Sequence, residues 1–521
     1  MHRNRLKLLE SVILKRCLRG RKYKEVQVIN YVNLNDLIKL VGNKELSEKY
    51  VNYLCGFKKG HQYRHDEIEA IFDLLKLTSG ASNSLNNFLY GYSIPQLNKE
   101  FDLLAFGDDF VVNLELKSKI DDLDKVKKQL LANRHYLKMV SSNIFLCGFV
   151  KDTGKVYLLD DNGELSEIKA DEIFAIIKAK ELKTIDLDKI YTPQKILVSP
   201  LNSPGKFLKG EYLLTENQLN IKNEIISFIK DDSMGSFYGL TGSAGTGKTL
   251  LLYDIVKTLS LNLKIIIVHS GMLCYGHDVL RNAIKNISII PAKDLRYKEI
   301  KDIDLIVVDE AHRLYESILE KIERWVIKAK KKCVFAYDEK QKMSNSENRR
   351  ETMNTILELC GQNISKLTTK IRTNKEIALF ITCLRDLSKF REEYTFKNVK
   401  IIFEKDKQKA VNLAKTMAND GYTYISYTAS FYNKELEYQK SDLNTHQVIG
   451  QEFDGVVMVM DENFYYEGRI LKGKTHPNPD YIYTQLLYQG LTRTRMKLAL
   501  IITDEALLNN VLSLFPAEHK I

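Results

Sequence analysis

The sequence lacks long apolar stretches, a secretory leader pattern and paired cysteines. No run approaches the ~18 uncharged apolar residues that a membrane helix needs. The start, MHRNRLKLLESVILKRCLRGRKYK, has basic residues throughout instead of an apolar core before a cleavage site. The seven cysteines are scattered without a CxxC pair, which gives neither a disulfide framework nor a zinc site. These absences predict a cytoplasmic protein with no membrane partner.

Proline is also scarce, and its distribution indicates a domain boundary. Three of the eight prolines, Pro193, Pro200 and Pro204, fall in one short segment, and proline restricts itself and its predecessor to extended geometry. A chain of 521 residues is too long for a single hydrophobic core. We therefore expect a basic N-terminal segment at 1–60, a smaller domain at 61–190, a linker at 191–210 and two further domains at 211–365 and 366–521.

Positive charge exceeds negative charge along the chain as a whole. The formal net charge is +11 and the isoelectric point is near 8.9. A basic excess favours a polyanionic partner because neutralising phosphates releases condensed counterions. Many basic proteins never bind nucleic acid, so the charge alone leaves the partner open.

A glycine-rich segment is the most specific motif. The strand-like SFYGLT runs into GSAGTGKT (242–249) and then the helical LLLYDIVKTLS, which is a complete P-loop in its strand–loop–helix setting. Gly242, Gly245 and Gly247 would let backbone N–H groups curl around a β-phosphate. Lys248 would contact the β- and γ-phosphates, and Thr249 would bind Mg²⁺. The motif predicts ATP and Mg²⁺ as cofactors.

An apolar strand that ends in two carboxylates follows downstream, in DLIVVDEAH (304–312). At the end of such a strand Asp309 can hold the magnesium ion, and Glu310 can orient or deprotonate the attacking water. A solvated acidic turn would explain these residues in isolation. Their position downstream of a P-loop favours a role in the same site.

Seven short apolar runs alternate with helical patterns in the C-terminal part: GSFYGL, KIIIVHS, DLIVVDE, CVFAYDE, TYISYT, GVVMVMD and LALIITD. Continuous apolar strands separated by amphipathic helices are typical of buried parallel sheets in an α/β fold. There are enough runs for two such sheets.

Five further segments resemble the ordered motifs of superfamily 1 helicases, and most of all the Schlafen-related helicase branch: LTENQ (214–218), YDEKQ (337–341), LTTKIRTN (367–374), THQVIGQEFD (445–454) and QGLTRTR (489–495). The resemblance implies that Gln218 reads adenine, Gln341 senses the γ-phosphate, Arg372 and Arg493 act as arginine fingers, and Gly450 and Glu452 lie between the nucleotide and the bound strand.

The same resemblance implies two RecA-like parallel-sheet motor domains that move along a nucleic-acid strand, with DNA a better candidate than RNA. Two departures from the family pattern bear on the activity. Large accessory insertions have no counterpart in so short a region, and His446-Gln447 lacks the Ser/Lys-Gln step common before the glycine. Translocation is therefore better supported than processive unwinding.

The N-terminal part carries a second acidic pattern, in KEFDLLAFGDDFVVNLELK (99–117). Two strands flanking a Gly-Asp-Asp turn predict a hairpin. Asp102 lies on the first strand, and Glu115 and Lys117 are two residues apart on the second, so the latter pair share one face. Two carboxylates and a lysine on one face can bind Mg²⁺ and place a water beside a phosphodiester.

This pattern resembles the PD-(D/E)xK nuclease core, in particular the nuclease-related domain often fused to helicases. The fold expected is thus a smaller α/β restriction-endonuclease-like domain ahead of the motor, with Asp102 and Glu115 as metal ligands and Mn²⁺ as an alternative to Mg²⁺. The following helix carries Lys128, Gln129 and Asn133 at family-like positions. The preceding helix offers Glu67, or failing that Glu69, as a further acidic ligand.

Three functions remain open on the sequence. The first is an ATP-dependent translocase or helicase fused to a metal-dependent nuclease, a combination that resembles bacterial systems for nucleic-acid processing and defence against phage. The second is an ATP-gated nucleic-acid sensor with an inert N-terminal domain. The third is a repair helicase whose N-terminal domain docks partners. The oligomeric state is open in every case.

Overall fold

The chain folds as two compact units. The structure is a computed structural model, and it describes residues 31–55, 63–78, 85–94, 97, 99–119, 123–178, 181–192, 198–338, 341, 343–368, 374–429, 437–474 and 481–515. One unit is formed mainly by residues before Tyr191 and the other by residues from Tyr191 onward. The basic run predicted in the first 30 residues lies outside the described residues, as does Arg372. Within the described ranges, no helix has both the length and the apolar character to cross a membrane.

A six-stranded mixed sheet organises the first unit. Its strands are adjacent in chain order: β1 (Phe88–Ile94), β2 (Lys99–Phe106), β3 (Phe110–Lys117), β4 (Asn143–Val150), β5 (Lys155–Leu159) and β6 (Leu165–Ile168). Strands β3 and β4 are parallel, and all other neighbours are antiparallel. The predicted hairpin is formed by β2 and β3, with Phe106 opposite Val111.

Helices cover this sheet and complete its core. They are α1 (Leu34–Ile38), α2 (Lys44–Cys55), α3 (His65–Lys76), α4 (Leu123–Leu137), α5 (Ala170–Lys178) and α6 (Leu187–Ile190). Helix α4 connects the parallel strands β3 and β4, because a parallel pair needs a crossover connection. Apolar residues of α3, such as Ile71 and Leu74, are buried in one cluster with Leu114 and Leu116 of β3. The hairpin is therefore anchored between α3 and α4.

The first sheet of the second unit is entirely parallel. Its order is β12-β7-β11-β10-β8-β9, formed by β7 (Phe237–Gly242), β8 (Ile265–His269), β9 (Ile287–Pro291), β10 (Leu305–Asp309), β11 (Lys332–Tyr337) and β12 (Ile364–Leu367). Its helices are α7 (Pro204–Lys209), α8 (Glu216–Lys230), α9 (Lys248–Leu259), α10 (Tyr275–Ala283), α11 (Glu316–Ala329), α12 (Asn345–Arg349) and α13 (Thr352–Cys360). Strands β7, β8, β10 and β11 have almost no exposed residues, as expected for a sheet covered on both faces.

A second parallel sheet follows, in the order β13-β18-β15-β14. It contains β13 (Val399–Phe403), β14 (Thr423–Tyr424), β15 (Phe453–Met460) and β18 (Thr494–Ile502), and a separate hairpin pairs β16 (Phe464–Glu467) with β17 (Ile470–Gly473). The helices here are α14 (Lys375–Arg385), α15 (Lys407–Thr416), α16 (Tyr483–Leu491) and α17 (Glu505–Leu512). The expectation of an α/β fold with two parallel sheets in the C-terminal part is confirmed.

The segment expected to be a linker is partly built into this unit. Val198, Leu201 and Phe207 are buried in the same cluster as the residues of the P-loop helix α9. From Val198 onward the segment therefore belongs to the core that supports the P-loop.

Candidate functional site

The P-loop joins β7 to α9 and bends sharply at two glycines. Gly245 and Gly247 have φ angles of 76° and 89°, a region that glycine occupies without a steric penalty. The Lys248 Nζ donates hydrogen bonds to the carbonyl oxygens of Gly242 (2.6 Å) and Ser243 (3.3 Å) and lies 3.7 Å from Asp338 Oδ2. The ammonium group thus lies against the loop that would surround a phosphate.

The two predicted carboxylates lie at the end of the central strand β10. Asp309 is its last residue, and its Oδ1 accepts a hydrogen bond from the Glu310 N–H at 3.1 Å. Glu310 adopts a φ of 57°, which is unusual for a residue with a side chain and turns the chain away from the sheet. Both side chains are buried, at 1% and 5% exposure.

Basic side chains surround Glu310. Burial alone would raise the pKa of this carboxyl, but His312, Arg313, Lys248 and Arg493 together lower it to about 2. Burial lowers the pKa of His312 itself to about 3, so at neutral pH the charged neighbours are Arg313, Lys248 and Arg493. Glu310 is therefore ionised, as a group that orients or deprotonates a water must be. Arg493, which follows α16 beside the second sheet, is among the charges that act on Glu310.

Arg313 connects Glu310 to the predicted γ-phosphate sensor. Its guanidinium donates to Glu347 Oε1 (2.9 Å) and to the backbone oxygen of Gln341 (2.7 Å), and its Nε lies 3.7 Å from Glu310 Oε2. The Nε2 of the buried Gln341 has no hydrogen-bond partner among the described residues, so it is available to a ligand. Sequence reasoning missed Arg313 and Glu347, although Arg313 directly follows DEAH.

The second sheet contributes a glycine loop and an arginine. Gly450 has a φ of 77°, and a Cβ there would lie 3.3 Å from His269 Cε1 and 3.2 Å from Leu201 Cδ1. Arg493 follows α16 and donates from NH1 to the Gln451 oxygen at 3.4 Å. Glu452 is buried, at 9% exposure. Of the two predicted arginine fingers, Arg493 therefore lies beside the loop that contains Gly450, and Arg372 falls outside the described residues.

Gln218, which is predicted to read adenine, is hydrogen-bonded to protein atoms at both ends of its side-chain amide. Its Oε1 accepts from the Thr215 N–H (2.9 Å), the Thr215 hydroxyl accepts from the Gln218 N–H (3.1 Å), and its Nε2 donates to the Thr246 oxygen (3.2 Å). The first two bonds form a capping box at the start of α8. Both ends of this amide therefore bind protein atoms, and the side chain links α8 to the P-loop.

The residues predicted to bind Mg²⁺ in the motor fit that ion in chemistry. Thr249 is a buried residue in the first turn of α9, next to Lys248. The Oδ2 of Asp309 has no hydrogen-bond partner within the described residues and lies 3.5 Å from His269 Nδ1. A hydroxyl at the end of the P-loop and a carboxylate at the end of β10 are oxygen donors of the kind that Mg²⁺ takes beside a triphosphate.

The candidate nuclease site centres on two buried carboxylates of the β2–β3 hairpin. Leu103 of β2 lies opposite Leu114 of β3. In this antiparallel pair the next two positions, Asp102 and Glu115, also lie opposite each other, so the side chains of Asp102 and Glu115 share a face of the sheet. Asp102 Oδ2 accepts from the Leu116 N–H at 2.8 Å. Burial and the charge of Glu115 raise the pKa of Asp102 well above its ordinary range. Such mutual repulsion is what a bound cation would relieve.

Glu115 is fully buried and surrounded by amides. Its Oε1 accepts from Asn133 Nδ2 (2.8 Å) and Asn113 Nδ2 (3.1 Å), and its Oε2 accepts from Gln129. Two of these donors, Gln129 and Asn133, were singled out in the sequence, whereas Lys128 is exposed on the same helix. The amides hold the carboxylate in place, but their hydrogen bonds also use lone pairs of both Glu115 oxygens that a metal would otherwise bind.

Of the two further acidic ligands predicted from the preceding helix, Glu67 lies at the site and Glu69 is paired elsewhere. The charge of Glu67 acts on Asp102, and Glu67 Oε2 accepts from the Tyr90 hydroxyl at 2.9 Å. Glu69 is instead paired with Lys151 at 2.6 Å. Lys117 is half-buried at the end of β3 and its charge lowers the pKa of Asp102. Glu67, Asp102, Glu115 and Lys117 therefore converge, although the described residues contain no group of three or more His, Cys, Asp or Glu side chains arranged to hold a metal.

The structure combines a P-loop at the end of β7, two carboxylates at the end of β10, which β11 separates from β7, and an arginine from a second parallel sheet. This is the arrangement of a two-sheet nucleotide-driven motor. Comparison with known families places that motor more closely: residues 236–458 match the model of the Schlafen group 3 DNA/RNA helicase domain. The chain therefore contains a helicase domain of the Schlafen group. No curated protein matches the sequence.

Solved structures of Pif1 helicases are similar to this chain at low identity. One, described as the structural basis for DNA unwinding at forked double-stranded DNA by two coordinating Pif1 helicases, is 15% identical, with a TM-score of 0.31, and the match covers 59% of this chain and 98% of that one. Another, a Pif1 helicase from Bacteroides in complex with ADP-AlF3 and single-stranded DNA, is 14% identical, with a TM-score of 0.30 and coverage of 55% and 95%.

Proposed function

We propose that the chain is an ATP-dependent translocase or helicase whose N-terminal domain is a divalent-metal nuclease, acting on DNA rather than RNA. The observation that supports the motor most directly is the convergence of Lys248, Glu310 and Arg493, from two different sheets, on one buried cleft. Arginine and lysine on opposite sides of a triphosphate neutralise charge that develops on the transferring phosphoryl group.

Each side chain of the cleft has a separate task in this proposal. Lys248 leaves the loop carbonyls and binds the β- and γ-phosphates, while Thr249 and Asp309 hold Mg²⁺. Glu310, kept ionised by its cationic neighbours, orients the attacking water. Arg493 stabilises the transition state from the side of the second sheet, and Arg372 of the segment LTTKIRTN is proposed to do the same. Mg²⁺ supplies charge neutralisation when it is bound.

The test of the motor compares two arginines of one motif. Arg493→Ala should lower the nucleic-acid-stimulated ATPase kcat by about 10³-fold or more, because an arginine finger contributes about 10³–10⁵. Arg495→Ala is the matched control, since the Arg495 guanidinium is bound at 2.6 Å to Asp454, an exposed residue, and this variant should keep most of the activity. Equal losses in both variants would contradict the assignment, and an ATPase insensitive to DNA and RNA would favour a simple P-loop kinase.

A basic and aromatic surface on the first motor sheet is suited to a nucleic-acid strand. A cavity of about 370 Å³ lies beyond the ends of β8 and β9 and is lined by Met272, Arg281, Lys293 and Lys298. Met272 is 55% exposed, and Tyr297 nearby in sequence is 84% exposed. Lysines and arginines bind the phosphate backbone, and exposed rings stack on bases without sequence preference. We assign this surface to the strand on which the motor moves.

Asp102, Glu115 and Lys117 lie together in the N-terminal domain, and this arrangement supports the proposed nuclease activity. Asp102 and Glu115 would hold Mg²⁺ or Mn²⁺, and Lys117 would contact the scissile phosphate or its attacking water. The test is cleavage of labelled single- and double-stranded DNA and RNA with Mg²⁺ or Mn²⁺, with and without ATP. Lys117→Ala should abolish cutting, whereas the exposed Lys119→Ala should not.

One observation favours an alternative in which the N-terminal domain is inert. The oxygens of Glu115 are occupied by three amide donors, so the side chain is stable without a metal. In that case the protein would be an ATP-gated nucleic-acid sensor. No cutting of any substrate with Mn²⁺, together with an ATPase that nucleic acid stimulates, would support the sensor and remove the nuclease.

A further inference from the structure

The segment that precedes the first motor sheet reaches into the nucleotide cleft. Val198 and Leu201 are buried in the core around the P-loop helix. The backbone of Leu201 lies so close to α10 that a Cβ on Gly276 would be 2.0 Å from the Leu201 oxygen. The position of residues 198–203 is therefore fixed with respect to the first motor sheet.

Asn202 is the residue of this segment that contacts the second motor sheet. Its Oδ1 accepts a hydrogen bond from the Glu452 N–H at 2.7 Å, and its Nδ2 lies 3.4 Å from Gln451 Oε1. The asparagine is itself held, because the Ser199 hydroxyl donates to Asn202 Oδ1 at 3.0 Å and accepts from the Asn202 N–H at 3.3 Å. The side chain is thus oriented before it meets the second sheet.

The contact lies on the same peptide group that binds the arginine finger. The N–H of the Gln451–Glu452 peptide donates to Asn202, and the C=O of that peptide accepts from Arg493 NH1 at 3.4 Å. A trans peptide is planar, so its N–H and C=O point in opposite directions and cannot turn independently. Fixing the N–H therefore fixes the direction in which the carbonyl presents itself to Arg493.

We propose that Asn202 is a positioning residue for ATP hydrolysis: it holds the Gln451–Glu452 peptide group and, through it, the guanidinium of Arg493. This inference rests on the proposed motor function. Asn202 lies in the segment packed against the first motor sheet, and Arg493 follows α16 beside the second sheet. The hydrogen bond from the Glu452 N–H to Asn202 therefore forms only when the cleft is closed as it is in this structure. Opening the cleft breaks the hydrogen bond and releases the arginine, so that hydrolysis is coupled to closure.

The first test measures the loop without reference to activity. Hydrogen–deuterium exchange followed by peptide analysis should show faster exchange of the peptide containing the Glu452 amide in Asn202→Ala than in wild type. Asn202→Asp keeps an oxygen acceptor and should keep the protection. Ser203→Ala is the matched control, because Ser203 is the next residue and its side chain makes no capping hydrogen bond. Unchanged exchange in Asn202→Ala would overturn the proposal.

The second test measures the consequence for catalysis. Asn202→Ala should lower the ATPase kcat about tenfold with the KM for ATP within about twofold of wild type, because the arginine acts on the transition state. Asn202→Asp should recover most of kcat. A rise in KM alone, or no recovery in Asn202→Asp, would refute the positioning role. If wild type has no ATPase, the proposed function fails, whereas the exchange result still decides whether Asn202 holds the loop.

Discussion

The buried ion pair of Arg313 and Glu347 allows the sharpest prediction about stability. Both side chains are almost inaccessible, at 3% and 8% exposure, and are joined at 2.9 Å. Glu347 uses both oxygens, because Oε1 accepts from Arg313 and Oε2 accepts from the Met343 N–H at 2.6 Å. Glu347→Gln retains the shape of the side chain but turns one of these acceptors into an NH₂ that faces a donor.

The expected cost follows from this geometry. Removing one partner of a buried pair costs about 3–5 kcal/mol because a buried charge is left uncompensated. Glutamine keeps one of the two hydrogen bonds, and Glu310 remains 3.7 Å from the Arg313 Nε, so the lower end of the range, about 3 kcal/mol, applies. At about 2 °C per kcal/mol for a large domain, the unfolding midpoint of the motor unit should fall by roughly 6 °C.

The assay is thermal and urea unfolding at neutral pH, with Glu299→Gln as the matched control. Glu299 is paired with Lys301, and both are about three-quarters exposed, so this substitution should cost less than about 1 kcal/mol. Arg313, the Met343 N–H and two histidines lower the pKa of Glu347 against the opposing effect of burial. Its contribution is therefore complete above the ordinary value of 4.5 and declines on further acidification, where the difference between wild type and variant should shrink. A variant as stable as Glu299→Gln at pH 7 would refute this reasoning.

Three further changes test other parts of the structure. Burial and neighbouring carboxylates raise the pKa of Asp102 above 3.8, so its ionised form destabilises the fold increasingly as the pH rises above that value. Asp102→Asn should therefore raise the unfolding midpoint at pH 7 in chelator, and Mn²⁺ should stabilise wild type but not the variant. Gly276→Ala should cost about 1–3 kcal/mol through overpacking against a backbone carbonyl, whereas Gly205→Ala, with nothing within 4 Å of its Cβ, should be neutral or stabilising by denaturant titration. Replacing Lys293 and Lys298 by Glu should weaken DNA binding and reduce its dependence on salt concentration, as measured by fluorescence anisotropy.

The sequence pattern predicted the interior strands of both motor sheets but not most of the edge strands. Strands β7, β8, β10, β11, β15 and β18 coincide with apolar runs, and each has a neighbour on both sides. The strands that were not predicted, β9, β12 and β13, all lie at an edge. Edge strands are short and face solvent, so polar residues interrupt their apolar pattern. Lys366 in β12 and Lys400 in β13 show this interruption.

Contacts between side chains far apart in the chain were not accessible from the sequence. The motifs predicted that Lys248 and Glu310 share a site, because each follows a buried parallel strand and such strand ends meet at one edge of the sheet. Nothing in the spacing indicated that Glu347 would bind Arg313, or that Asn202 would bind the backbone of Glu452. Those pairs depend on the packing of separate elements. The roles of Gln218 and Lys117 remain predictions.

The two acidic sites differ in a way that argues for different ligands. Around Glu310 the charges of His312, Arg313, Lys248 and Arg493 lower its pKa, so basic side chains lie beside the carboxylate where a nucleotide triphosphate would bind. After burial, the charges of Glu115 and Glu67 have the largest effects on Asp102, and its pKa is raised. A site with excess negative charge is stabilised by a cation and destabilised by phosphate. If the domain is a nuclease, we therefore expect the metal to bind before the phosphodiester.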